Sequence, residues 1–348
     1  MPLARRSLLA AALAAPVPRL ARAARRSLTI AGPAGLFQPA YDTAVIDPFR
    51  RRNPGLDITY YPAAASDQIV DALHSHRVIP PIDVALLEII AAATATDQKL
   101  LVSLGPASLP GLALPAAAFT KGVAGPAVML DCLAIAYSPQ QVRPAPTTWR
   151  VLWERNLRGQ IILPPAPDSA GIAFTLVANA VFGGDDYRES LETGINAIRL
   201  LAPGVETWYP IPDIYRAIMG GDGAIGVAWN AEGQMIARNA GGKLGMAIPV
   251  EGSIFQVMTI NLTAASANPE AARDFIAYAL STDAQQAIAE HLFYTPANSG
   301  VKLDQAALAR TASSPAQLAR MMEVNWLDVA MMRDRITRDW RHRIMTER

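Results

Sequence analysis

The side chains best placed to do chemistry sit in one stretch, where Trp229, Asn230 and Glu232 close the apolar run Ala224-Ile225-Gly226-Val227-Ala228-Trp229. A run so short and free of charge predicts a strand buried on both faces. Ligands of open α/β sheets bind beyond such strand ends, so an indole beside an amide and a carboxylate would make a ligand wall; packing of Trp229 between the sheet and a neighbouring helix is the alternative. Asp168-Ser169-Ala170-Gly171 is the second candidate, between a predicted strand at 161–163 and a predicted helix at 172–182. A helix start just past a strand offers backbone N–H groups to a carboxylate or phosphate; an ordinary cap by Asp168 or Ser169 is the alternative, and both can hold. Phe37, Ser66 and Glu88 follow three further predicted strands on one edge. Phe37 could instead cover the core and Ser66 could cap its helix, but Glu88, between Leu87 and Ile89, is a carboxylate in apolar company and needs a partner.

None of these groups forms a catalytic set. The four histidines, His74, His76, His291 and His342, are spread along the chain, and two of them fall two residues apart, where helical side chains diverge. No H-E-x-x-H, G-x-S-x-G, P-loop or C-x-x-C is present. Binding without chemistry is therefore expected, with no cofactor.

The elements that must position these residues alternate. Strands are predicted at 27–31, 56–61 and 83–87, with helices at 41–52 and 66–75 between them, a βαβαβ order that calls for a parallel sheet with right-handed crossovers. The alternation lapses between 101 and 126, where glycine and proline become frequent, and residues 128–137 then read as a long strand. A helix at 149–158 leads to the strand at 161–163. Asp213 predicts the cap of a short helix at 214–219 that Gly220 would end, and 248–262 reads as a turn feeding another apolar strand. Asn268-Pro269-Glu270 and Ser281-Thr282-Asp283 are the start signals of two amphipathic helices. Beyond Asn298 the chain is helical, and its arginines from Arg333 to Arg348 alternate with Asp334, Asp339 and Glu347, the pattern of a solvated face over a lobe.

With 348 residues, 51% hydrophobic and 18% charged, the chain can fill two domain cores. Arg5-Arg6, an alanine-rich apolar run and Ala21-Arg22-Ala23 have the form of an export signal over 1–23. The arginine pair resembles a twin-arginine signal, with an ordinary Sec signal as the alternative. Removing it takes away four arginines, Arg5, Arg6, Arg19 and Arg22, and no acid, so the net charge moves from +1 to −3. A nearly neutral chain without a basic stripe argues against nucleic acid as a partner. The single cysteine, Cys132, lies in an apolar run and is expected to be a packing residue.

Trp-Asn followed by an acid at 229–232, Pro-x-Glu-Gly at 249–252, Pro-Glu-Ala-Ala at 269–272 and Phe-Tyr-Thr-Pro-Ala-Asn at 293–298 together resemble the extracellular solute-binding proteins of ABC importers. The similarity is to the branch that includes polyamine, iron and aminoethylphosphonate binders. It implies a two-lobed, type II-like periplasmic-binding-protein fold of class α/β, each lobe a mainly parallel sheet flanked by helices with the ligand cleft between them. The lobes would run 24–131 and 259–310 for the first and 132–258 for the second, with C-terminal helices at 311–348. The partners implied are a small-molecule solute and a membrane permease, for a monomer in the periplasm; a sensor in place of the permease and a secreted enzyme are the alternatives.

The resemblance also bears on the ligand, adding Phe255 and Gln256 to the binding candidates. Polyamine receptors carry a Trp-x-Asp after the Pro-x-Glu-Gly segment, and those two positions here look like Gln256 and Met258. Their acid-bearing helix start is here Ser169, Ala170, Gly171 and Ile172, which leaves Asp168. A buried ammonium needs paired charge, so this loss argues against a polyamine. Iron receptors use neighbouring tyrosines, and Tyr60 and Tyr61 would point to opposite faces of a strand. A small polar or anionic organic solute is the expectation that remains, with polyamine or iron(III) as the alternatives.

Overall fold

The computed structural model describes residues 26–75, 81–105 and 120–345, so the export signal expected over 1–23 lies outside the described residues. Among the described residues eleven strands form one sheet: β1 (Arg26–Pro33), β2 (Leu56–Ala63), β3 (Val84–Glu88), β4 (Leu101–Val102), β5 (Ala127–Tyr137), β6 (Ile161–Ile162), β7 (Val205–Thr207), β8 (Ile225–Trp229), β9 (Gly245–Ala247), β10 (Phe255–Thr263) and β11 (Thr295–Pro296). Its main path runs β2-β1-β3-β10-β5-β8-β6-β7.

The path has two halves of like design. In the first lobe β1 runs parallel to β2 and β3, and β10 closes the group antiparallel to β3. In the second, β6 runs parallel to β7 and β8, and β5 closes it antiparallel to β8. Among the described strands β5 alone belongs to both. Its residues Met129 to Cys132 pair with β10, and from Leu133 onward it pairs with β8, with Leu133 opposite Trp229. Ten of its eleven residues are buried, which an apolar strand covered on both faces requires. The sheet therefore forks at Asp131–Leu133, and the chain returns to the first lobe at the start of β10.

Each lobe has its own core. Leu28, Ile30, Val45, Phe49, Ile260 and Phe275 pack together in the first, and Trp149, Leu152, Phe174, Ile198 and Val227 in the second. The C-terminal segment joins the second core through Trp326, Val329, Ile336, Trp340 and Ile344, and its helix Trp326–Asp339 also touches the first-lobe helix Ile89–Asp97. Instead of merely closing over a lobe, it forms part of that lobe's interior.

Several local expectations shift, each for a tertiary reason. The stretch predicted as a helix at 149–158 is two 3-10 turns, Trp149–Trp153 and Arg155–Leu157. Its indoles are drawn to distant carbonyls, Trp149 Nε1 donating to Gly252 O at 2.8 Å and Trp153 Nε1 to Ala197 O at 2.8 Å. The helix capped by Asp213 runs through Gly220, and Gly221, at φ +92°, takes the left-handed position. Asn268 does not cap the helix Pro269–Ala279; its Nδ2 donates to Ser27 O at 2.9 Å and so ties that helix to β1. The first helical run begins at Phe37 rather than at 41, continuing through a π turn at Asp42–Ile46 to Arg52.

Gly252 is required by both backbone and space. Its φ is +99°, and a Cβ there would collide with the Arg320 carbonyl. Gly252→Ala should therefore destabilise the protein by more than Gly35→Ala, whose φ of +72° is strained but whose surroundings are open. The backbone term common to both is roughly 1–2 kcal/mol. Denaturant midpoints of the two variants measure the difference, and equal losses would show that the Arg320 carbonyl moves aside freely.

Candidate interlobe binding site

Three second-lobe strands end at one edge, and the loops leaving them make a concave wall. Pro164 to Asp168 follow β6, Trp208 to Pro212 follow β7, and Trp229 ends β8. Together with Tyr215, Glu232, Arg341 and Met345 they line a cavity of about 700 Å³, within the size range of small-molecule sites.

Trp229 is fixed from two sides. Its Nε1 donates to Ser169 Oγ at 3.0 Å, and its carbonyl accepts from the Tyr215 hydroxyl at 2.7 Å. The ring is half-buried, so one part packs while another is open to the cavity. Asp168 caps the helix Ser169–Val181, its Oδ1 accepting from Ala170 N at 2.8 Å. That bond bears on the anion cradle expected there. The carboxylate already takes the N–H and places negative charge at the helix start, which opposes an incoming anion.

The first lobe presents Glu88 at the end of β3. Its N–H donates to Ser66 Oγ at 3.0 Å, and Gln256, from β10, hydrogen-bonds its carboxyl. The partner that Glu88 needs is thus Gln256. Solvent reaches the Glu88 side chain, yet its carboxyl pKa is raised, first by desolvation between the walls and then by Asp67 and Asp168, with Gln256 opposing the shift. Because Asp168 stands on the second lobe, the two lobes face each other with like charges. Glu232 is raised too, by desolvation and then by Asp213, against the lowering effect of Arg216. Arg216 is itself paired with Asp213 at 2.5 Å.

Beneath this surface lies Asp131, which is 6% exposed. Burial pushes its carboxyl up to about 8, while backbone N–H groups of Ala231, Cys132 and Asn230 draw it back. It was not among the candidate residues. Nor was Tyr215, which an apolar helix face conceals, nor Arg341 and Met345, which lie more than a hundred residues from the rest of the wall and arrive only by packing.

Ser66, Glu88 and Gln256 thus group on the first lobe, and Asp168, Ser169, Trp229 and Glu232 on the second, the two groups linked by the coupling of Glu88 to Asp168. The geometry turns four other candidates away. Phe37 is buried in the first core, stacked on Tyr41 with centroids 5.1 Å apart, because the helix begins at this residue and folds it inward. Asn230 is 1% exposed and its Nδ2 donates to Arg310 O at 2.8 Å, which leaves that amide a structural tie. Phe255 is buried in the second core at the foot of β10. Gly171 lies under the proline loop, where a Cβ would come within 2.6 Å of the Pro164 carbonyl, so it serves close packing. Ala170 is buried but still lines the cavity. Of the two aromatics that follow β7, Trp208 is buried and Tyr209 is exposed at the rim. Tyr60 and Tyr61 pack against different cores, on opposite faces of β2. Among the described residues no group of three His, Cys, Asp or Glu could hold a metal ion.

Two α/β lobes that share a strand and face each other across an open site define a two-lobed binding protein. The family model of bacterial extracellular solute-binding proteins matches residues 44–316, and the chain belongs to that family. It is 26% identical over 154 residues to the spermidine/putrescine-binding periplasmic protein of Escherichia coli, a match covering 44% of this chain and 43% of that one. Among solved structures, an ABC transporter protein from Clostridium perfringens superposes with a TM-score of 0.73 at 22% identity, covering 91% of this chain and 99% of that one. The periplasmic binding protein AgtB from A. tumefaciens, in complex with agropinic acid, gives 0.71 at 21% identity, covering 92% and 99%. These likenesses establish the fold.

Proposed function

We propose that this protein is the substrate-binding component of an ABC importer, exported to the periplasm, which captures a small polar organic solute between its lobes and delivers it to a membrane permease. The observation that supports this most directly is the facing of Glu88 and Asp168 across the cleft beside the Trp229 wall. Two like-charged lobes are held apart until a solute with hydrogen-bond donors bridges them, which couples binding to hinge closure. Within the polar solutes expected from the sequence, this geometry favours one bearing a protonated amine over an anion. Asp67, Glu88, Asp168 and Glu232 line or adjoin the site, Arg216 is engaged by Asp213, and Arg341 is the cation at the cavity wall. The Arg5-Arg6 segment and the Ala21-Arg22-Ala23 site support export.

A thermal-shift screen of the mature chain against matched amine-bearing and anionic metabolites tests the reading. A true ligand at a hundred times its Kd should stabilise the fold by about 2.7 kcal/mol, and small-angle scattering should show compaction without change of secondary structure. Stabilisation by anions alone would overturn the solute class, and binding at an unchanged radius of gyration would overturn closure.

A further inference from the structure

We propose that Asp131 is a positioning residue for the ligand wall: from the fork of the sheet it ties the end of the Trp229 strand to the strand that both lobes share, and gain or loss of its proton moves that wall. Its role in capture rests on reading Trp229 as ligand wall; its effect on Trp229 does not.

The argument begins with register. Asp131 lies opposite Gln256 in the β5–β10 ladder, and two residues later Leu133 lies opposite Trp229 in the β5–β8 ladder. The carboxyl thus stands where one partner strand gives way to the other. Its Oδ1 accepts from Ala231 N at 2.9 Å, and the N–H groups of Asn230 and Cys132 also reach the carboxyl. Asn230 and Ala231 open the helix Asn230–Ala237 directly after Trp229. A side chain of β5 therefore holds the first turn of a helix whose preceding residue is the wall. Gln256, across the ladder, reaches Glu88, so one level of the fork connects to both faces of the cleft. At 6% exposure Asp131 does not meet solute; it acts through Trp229.

The charge state matters because each form holds the helix differently. A carboxylate accepts N–H bonds strongly and suits the positive end of a helix, whereas the acid accepts them weakly. Burial pushes the group up to about 8, so the exchange falls at mildly alkaline pH. Four titratable groups face it: Glu232 from the helix Asn230–Ala237, Tyr215 from the helix Ile214–Gly220, Tyr294 ahead of β11, and Cys132 beside it. Burial raises both phenols and the thiol well above their ordinary values, so they stay neutral as Asp131 titrates. Glu232 adds repulsion that keeps the proton on.

The test uses the mature chain labelled with fluorotryptophan, without solute, so that failure here is separate from failure of the capture reading. Six tryptophans give six fluorine resonances, and Trp229→Phe identifies that of Trp229 by its absence. In the unsubstituted protein this resonance should move in one single-proton step centred at about 8, and in Asp131→Asn it should stay fixed. A step that persists in Asp131→Asn, or a flat line in the unsubstituted protein, would overturn the proposal. Stability supplies a second readout. The folded carboxyl holds its proton up to about 8 while the unfolded one releases it near the ordinary 3.8, so the native form loses stability relative to Asp131→Asn as pH rises across that window, then levels off. No such divergence would also overturn it. Should Asp131→Asn fail to fold, Glu232→Gln and Glu88→Gln carry the test. Both should keep the step, with Glu232→Gln moving it to lower pH, and its loss in either would assign the proton to that carboxylate and refute Asp131.

Discussion

Trp340→Ala should cost about 3–5 kcal/mol of stability, the range for truncating a buried aromatic in a packed core. Trp340 is 0% exposed although it stands only eight residues from the end of the chain. Its Nε1 donates to Thr175 Oγ1 at 2.8 Å, in the middle of the helix Ser169–Val181, and its ring meets Trp208 edge-on at 5.7 Å. Trp208 and that helix both bound the cavity, and Arg341 and Met345, next along the chain, line it. The variant should therefore lose affinity as well as stability, and Trp340→Phe, which keeps much of the ring, should lose less of both. Denaturant melts measure the first effect, and calorimetry with a ligand from the screen the second. A Trp340→Ala protein as stable as its parent would show that the C-terminal segment is an appendage and not part of the second lobe.

Trp229→Ala should weaken solute binding by at least roughly 2 kcal/mol, about thirtyfold, the threshold for an aromatic anchor, while the apo protein stays folded. The asymmetry with Trp340 follows from burial. Trp229 is partly buried and borders the cavity, so its truncation opens the cavity further without leaving a sealed void. Its bond to Ser169 costs the fold little when lost, since Ser169 is only partly buried and its hydroxyl can turn to water. Ser169→Ala should give a smaller loss of affinity, because the indole keeps its place on the strand and loses only its orientation. A folded Trp229→Ala with undiminished affinity would remove the indole from the site, while loss of binding only through unfolding would make it core.

The sequence by itself determined the local elements and their order, because periodicity and caps act over a few residues. The strand at β8, the helix beginning at Ser66, the cap by Asp213 and the cap by Ser281 were all readable, as were the long buried strand β5 and the opposed tyrosines of β2. The two-lobed α/β class and the family followed from the order and spacing of short motifs between 229 and 298, and the fold and the family comparison agree with both.

Only the tertiary structure decided which way each candidate side chain turns. Phe37, Asn230, Gly171 and Phe255 sit beside predicted strand ends just as Ser66, Glu88, Ser169 and Trp229 do, and a strand end alone does not say which way its neighbour turns. Asn230 turned inward because a carbonyl from Arg310, eighty residues on, satisfies its amide, and Phe37 because Tyr41 lies one helical turn away. The acid at the fork was invisible for the same reason. In the sequence Asp131 is one polar residue in an apolar strand; its meaning comes from the helix Asn230–Ala237, a hundred residues later, whose first N–H groups it holds. Long-range pairing of buried polar groups is enforced by the cost of leaving them unpaired in a dry interior, and that cost is settled by whichever partner the whole fold delivers, not by the residues next in line.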